Sequence, residues 1–171
     1  MGVIITRSIL GNVFHDAHLS NKHDKMKASG MCEHLSLSRA DMEHVRLRRK
    51  TERETDVGII LEPGSRLKDG DVLVDRKEKF IVVRQLPEKV VSVRINEKKR
   101  SRVLELSAAV GHAIGNRHRP ISINDNTISF PVMAASELEV FRKLFPARGI
   151  ALEIEDQVFR PIGVTSHTHE H

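Results

Sequence analysis

The most constraining feature of the chain is the order of patterns after Leu86-Pro87, because few folds accept it. "KVVSVRI" at 89–95 reads as a strand. An amphipathic helix follows the basic run Lys98, Lys99, Arg100, with Val103, Leu106, Val110, Ala113 and Ile114 on one stripe. "RPISIN" and "TISFPV", joined by Asn124-Asp125-Asn126, read as a hairpin whose Ile121, Ile123, Ile128 and Phe130 can face one core. Pro131 is where its second strand should leave the ladder. Ser136 and Glu139 have capping-box spacing for a second helix bearing Leu138, Phe141, Leu144 and Phe145 and closed by Pro146. "IALEI" at 150–154 adds a last strand. The sum is β-α-β-β-α-β, the ferredoxin-like arrangement.

Before residue 87 the pattern is different. Short β-rich runs, "VIIT" at 3–6, "HLSL" at 34–37, "VGIIL" at 57–61, "DVLV" at 71–74 and "KFIVVR" at 79–84, alternate with turn signals. Gly64 and Gly70 sit in turns that call for positive φ. Residues 15–30, "HDAHLSNKHDKMKASG", are polar and aperiodic and read as an exposed loop. The expected class is therefore α+β, with a β-rich N-terminal domain over 1–86, a ferredoxin-like domain over 87–160 and a histidine-bearing tail over 161–171.

Composition excludes several functions. With six Phe and no Tyr or Trp, the chain has little with which to stack bases, and a formal charge of +5 is modest, so no nucleic-acid partner is expected. A single cysteine, Cys32, excludes an intramolecular disulfide and any CxxC knuckle, and fits a reducing compartment. No apolar run approaches membrane-spanning length and no signal peptide is evident, so a cytoplasmic protein without membrane contact is expected. Met1, Gly2 and Thr6 match a myristoylation pattern by letter, but Val3-Ile4-Ile5 is more simply a first strand.

Ten histidines carry the chemistry. Neutral imidazole is a borderline donor suited to nickel, zinc and copper. In the terminal "HTHEH", His167, His169 and His171 would stand about 7 Å apart along an extended chain, whereas each ligand must lie about 2 Å from an ion. An extended tail cannot wrap one ion, so it must bend or complete a site built elsewhere. Purification tags are continuous histidine runs, and this one is interrupted, so it reads as a native metal-binding tail.

His118 follows the first helix of the second half, with Gly115 placed for a left-handed C-cap. Taken alone, His118 is either a capping or surface residue or a ligand. His112, six residues earlier, misses the i, i+4 spacing of paired ligands and is the weaker candidate. His15, Asp16, His18 and His23 could hold a cation only loosely from a loop. Cys32 has only His34 as a same-face neighbour. Arg46, Arg48, Arg49 and Lys50 read as a solvated β-edge, or alternatively as a docking surface for an acidic partner. No GxSxG, HExxH or phosphate-binding glycine loop is present, so no catalytic residue is assigned.

"IGNRH" at 114–118 after an amphipathic helix, together with "MGVIITRSILGNV", "RLRRKTERETDVGIILEPG" at 46–64, "LKDGDVL" at 67–73 and the histidine-rich terminus, resembles the urease accessory protein E family, the nickel chaperones of urease maturation. The resemblance implies a homodimer with an N-terminal domain that binds a partner or peptide and a C-terminal domain that binds metal. It implies that His118 from each of two subunits bridges one Ni(II), and that His167, His169 and His171 add ligands. Zn(II) and Cu(II) would also bind, since affinity order does not select nickel. The partners implied are the urease accessory GTPase and the apo-urease activation complex, and the activity is transfer, not catalysis. Two other classes stay open. A metal-independent partner-binding module would capture its partner equally well with a chelator present. A small metal-dependent hydrolase would need a base, and Asp125, the nearest carboxylate, sits in a turn.

Overall fold

The computed structural model describes residues 2–146 and 148–162. The chain divides into two compact units between Leu86 and Pro87.

In the first unit, β1 (Ile4–Thr6), β3 (Arg46–Lys50) and β4 (Asp56–Ile60) form a sheet in the order β1-β4-β3. A second sheet, in the order β2-β6-β5, holds β2 (Cys32–Leu37), β5 (Val72–Arg76) and β6 (Lys79–Gln85). Each mixes one parallel pair, β1 with β4 and β2 with β6, with one antiparallel pair. Alternation along β2 sorts its side chains. Leu35 and Leu37 join Val57, Ile59, Ile81 and Val83 in the main core, while Cys32 joins Phe80 and Val82 in a second cluster. The short α2 (Arg39–Met42) carries a capping box made by Ser38 and Asp41. Gly64 and Gly70 take the expected left-handed turns, both at φ 86°.

The segment read as a loop over 15–30 is instead a helix, α1 (Ala17–Ala28), which covers the second cluster with Leu19 and Met26. Asp16 starts it by accepting from the backbone N–H of His18 at 2.8 Å and of Leu19 at 3.1 Å. Its buried face is short: Leu19 and Met26 are i and i+7, and the i+4 position between them is His23. With a histidine in the middle of the stripe, hydrophobic periodicity hides the helix. Asp16→Ala should cost about 1 kcal/mol of local helix stability, seen as faster amide exchange across Ala17–Ala28. Unchanged exchange would show that the cap contributes nothing.

The second unit contains β7 (Glu88–Ile95), α3 (Arg100–Gly115), β8 (Ser122–Asn124), β9 (Thr127–Pro131), α4 (Glu137–Leu144) and β10 (Ile150–Gln157). The sheet order β10-β7-β9-β8, antiparallel throughout, is the ferredoxin-like topology expected from the element order. Val91, Val93, Ile95, Ile128 and Phe130 meet Leu106, Val110 and Ile114 of α3 and Phe141 and Phe145 in one core. β9 ends at Pro131.

Local expectations fail in the hairpin and at the start of α4. Ile123 is exposed because β8 is the sheet edge, and of the Ile123–Ile128 cross-strand pair only Ile128 of β9 reaches the core. Ser136 makes no side-chain cap bond, so the Ser136–Glu139 capping box is absent. Glu137 ties the entry to α4 instead, with its Oε1 accepting from the N–H groups of Met133 at 2.6 Å and Ala134 at 3.2 Å.

Candidate metal centre

The chain leaves α3 through Asn116, Arg117 and His118. Gly115 is not a left-handed cap: the helix runs through it, and Asn116 is the C-cap in the right-handed region. The left-handed residue is His118, at φ 52°. Its N–H donates to the Gly115 carbonyl at 2.9 Å, and the N–H of Arg117 donates to Ile114 at 3.0 Å. A side chain in this conformation costs roughly 1–2 kcal/mol relative to glycine, and histidine is among the few types enriched there.

Both neighbours of His118 are anchored on α4. The Arg117 guanidinium lies over the Phe141 ring, 5.5 Å from its centroid. Arg119 Nη2 donates to Glu137 Oε2 at 2.8 Å. The His118 imidazole is thus exposed at a turn held from both sides. His112, also exposed, is hydrogen-bonded through Nε2 to the Asn116 side-chain amide at 3.0 Å. His167, His169 and His171 lie outside the described residues.

A different set of donors converges in the N-terminal unit. Ligand atoms of His23 on α1 and of Cys32 and His34 on β2 all lie within 4.8 Å of one another. The His23 and His34 rings meet edge to face, 5.9 Å between centroids. Their side chains are 18% and 13% exposed. Glu52 grips His34 twice, accepting from its backbone N–H at 2.6 Å and lying 3.2 Å from Nδ1. Asp24 lies 3.4 Å from His23 Nδ1.

Burial pushes the Cys32 thiol up, aided by the Glu52 charge and opposed by Lys27, Arg53 and Arg84. Burial also pushes the His34 imidazole down, against the Glu52 hydrogen bond that favours its charged form.

Of the four N-terminal residues read as a loose cation loop, only His23 joins this set. His15 and His18 are exposed, and Asp16 is the helix cap. The Cys32–His34 same-face relation is legible in strand alternation, but His23 joins it only because residues 17–28 form a helix. The signal was the i, i+4, i+7 spacing of Leu19, His23 and Met26.

The arginine-rich β3 is an edge strand, and much of its charge is matched within the chain. Arg48 pairs with Asp56 at 2.5 Å, Arg49 with Asp41 at 2.8 Å and Lys50 with Glu54 at 2.6 Å. Among the described residues no helix is long and apolar enough to cross a membrane. Gly2 and Val3 precede β1, and the Thr6 hydroxyl is buried, donating to the Leu73 carbonyl at 3.2 Å.

Comparison with known proteins agrees with the resemblance noted in the sequence. Residues 7–86 match the family described as UreE urease accessory protein, N-terminal domain. The urease accessory protein UreE of Edwardsiella ictaluri is 30% identical over 141 residues, covering 80% of this chain. The chain spans only 61% of that relative's length. UreE 1 of Pseudomonas syringae pv. tomato is 29% identical over 144 residues, covering 84% of this chain and 93% of the relative. UreE of Lysinibacillus sphaericus is 25% identical over 167 residues, covering 97% of this chain and 100% of the relative. On the matched N-terminal domain, and on relatives that align along nearly the full length, this chain belongs to the UreE family of urease accessory proteins.

Proposed function

We propose that this protein is a nickel carrier of urease maturation that transfers its ion rather than catalysing a reaction. The observation that carries the reading is His118. An imidazole occupies a left-handed position where glycine would be less costly, its neighbours are pinned by α4, and the ring is left open to solvent. Retaining a costly conformation at an exposed, braced residue is typical of binding positions. The names of the relatives, urease accessory proteins, supply the process.

One exposed imidazole does not hold an ion tightly. A two-fold contact between copies turns it into two facing donors, and one or two of His167, His169 and His171 complete the set. His112, already bonded to Asn116, is the lesser contributor. A site assembled from a subunit interface and a chain terminus opens in steps, so the ion can pass to a receiving protein. The receivers are the urease accessory GTPase and, through it, apo-urease in its activation complex, in the cytoplasm. Nitrogen ligands favour release, and they admit Zn(II) and Cu(II) as well as Ni(II), so selectivity belongs to the partner complex.

The test is a nickel titration by calorimetry with molar mass measured on the same sample. One tight Ni(II) per two chains is expected, lost in His118→Ala and in His118→Gly. The glycine variant also relieves the left-handed backbone, so its fold should be at least as stable as wild type. Tight nickel binding that survives in both variants would overturn the assignment. Removing residues 167–171 should weaken binding and leave the dimer intact.

A further inference from the structure

We propose that His23, Cys32 and His34 form a second metal site in the N-terminal unit, one that binds a thiophilic divalent ion of the zinc class through two imidazoles and one thiolate. The three donors already lie within 4.8 Å of one another, although they come from two elements. Around a tetrahedral zinc, bond lengths of about 2.0–2.3 Å place ligand atoms about 3.5 Å apart. The remaining gap is of a size that rotation of the imidazoles spans.

Three further features support the assignment. The first is outer-shell order. With His34 Nδ1–H directed to Glu52, the Nε2 lone pair is left for an ion, and the second Glu52 oxygen locks the strand backbone beside it. Asp24, the next residue on α1, places a second carboxylate 3.4 Å from His23 Nδ1, as an ion-pair contact and not a hydrogen bond. Carboxylates on the far nitrogen of ligating histidines are the usual outer shell of zinc sites. The second is placement. Cys32 is 4% exposed, with its apolar surroundings in the Leu19, Met26 and Phe80 cluster, while both imidazoles retain partial solvent access. An ion can arrive from the imidazole side, with a fourth position left for water. The third is cost. His23 occupies the middle of the buried face of α1, where an apolar residue would pack better, and metal ligation accounts for a histidine there.

This site differs in chemistry from the nickel site proposed at His118. A thiolate ligand favours retention of a softer ion, whereas an all-nitrogen set favours release. Because α1 and β2 each supply ligands, occupancy ties the helix to the sheet, so binding should stabilise the N-terminal unit in proportion to its affinity.

Cobalt(II) titration of the metal-free, reduced full-length protein tests the proposal. Cys32 is the one cysteine of the chain, so a thiolate-to-cobalt charge-transfer band in the near ultraviolet reports this site alone. The expected result is one such cobalt per chain, displaced by one equivalent of zinc and unchanged in His118→Ala. His23→Gln and His34→Gln should each weaken cobalt binding at least tenfold, and neither substitution removes the buried cysteine. Absence of the band at saturating cobalt would overturn the proposal. So would a band whose titration midpoint is unmoved in both histidine variants. Neither outcome depends on nickel binding at His118, so the two readings fail separately.

Discussion

Phe141→Ala should destabilise the C-terminal unit by about 3–5 kcal/mol, the cost of truncating a large aromatic side chain in a packed core. Phe141 is fully buried at the centre of three rings, 4.4 Å from Phe130 and 5.5 Å from Phe145 between centroids. It lies in the core cluster shared by α3, α4 and the sheet. Loss of this ring opens a cavity that its neighbours cannot close without moving a helix. In urea or heat the transition of this unit should shift, by roughly 4–8 °C per kcal/mol for a domain of this size, while the transition of the N-terminal unit stays in place. Leu144→Ala, on the same helix but 44% exposed, is the control and should cost under about 1 kcal/mol. Equal effects from the two would show that α4 does not pack through Phe141. The same substitution removes the ring beneath Arg117. Even under conditions where the variant is folded, the turn that carries His118 should loosen and nickel affinity should fall.

Lys79→Met should have the second largest effect. Glu33 points from β2 into the N-terminal core and is 5% exposed. Its Oε1 accepts from Lys79 Nζ at 2.6 Å and its Oε2 from the Thr51 hydroxyl at 2.6 Å, and Lys79 also donates to the Thr55 hydroxyl at 2.9 Å. Methionine keeps the length of the lysine stem and removes the charge, leaving a buried carboxylate with only the neutral Thr51 and Thr55 hydroxyls as donors. The expected loss is about 3 kcal/mol, the lower end of the cost of stranding a buried charge, because the Lys79 side chain is itself 31% exposed.

The pH dependence gives an independent check. Burial pushes the Glu33 carboxyl up, but the hydrogen bonds from Lys79, Thr51 and Thr55, with the lysine charge, outweigh it and hold the carboxyl below its usual range. Its folded-state pKa is thus lower than its unfolded value of about 4.3. The stabilisation is complete above that value and is lost as pH falls through the folded-state pKa. Between neutrality and pH 3, wild type should lose stability at the acid end. In Lys79→Met the Glu33 carboxyl moves up, so this contribution to the acid-limb slope should flatten or reverse. An identical slope in the two proteins would mean that the pair does not contribute.

How far these features can be read from the chain itself varies with the kind of interaction that makes them. The C-terminal elements are legible because each carries its own periodicity: Leu106, Val110 and Ile114 repeat at helical spacing, and "KVVSVRI" at strand spacing. Together their order implies a ferredoxin-like sheet, and β10-β7-β9-β8 is that sheet. The errors occur where a residue's environment is set by a neighbour distant in sequence. Ile123 alternates like a core residue, but β8 lies at the sheet edge. Ser136 has the spacing of a capping box, but Glu137 already bonds the N–H groups of Met133 and Ala134 and is held by Arg119. Gly115 looks like a helix stop, but anchorage of Arg117 and Arg119 on α4 accompanies the left-handed turn at His118 instead.

By itself, the sequence determined the strands, the two C-terminal helices and their order, because backbone pairing and amphipathic burial repeat at short, regular intervals, while the family was legible only as a resemblance carried by "IGNRH" and the spaced landmarks. Only the tertiary structure decided that residues 17–28 are a helix, that His23 meets Cys32 and His34, and that the His118 turn is braced by α4. The physical reason is common to all three. Each depends on which face of one element packs against another, and a short helix whose buried stripe is interrupted by a histidine acquires its face only when the sheet beneath it is in place.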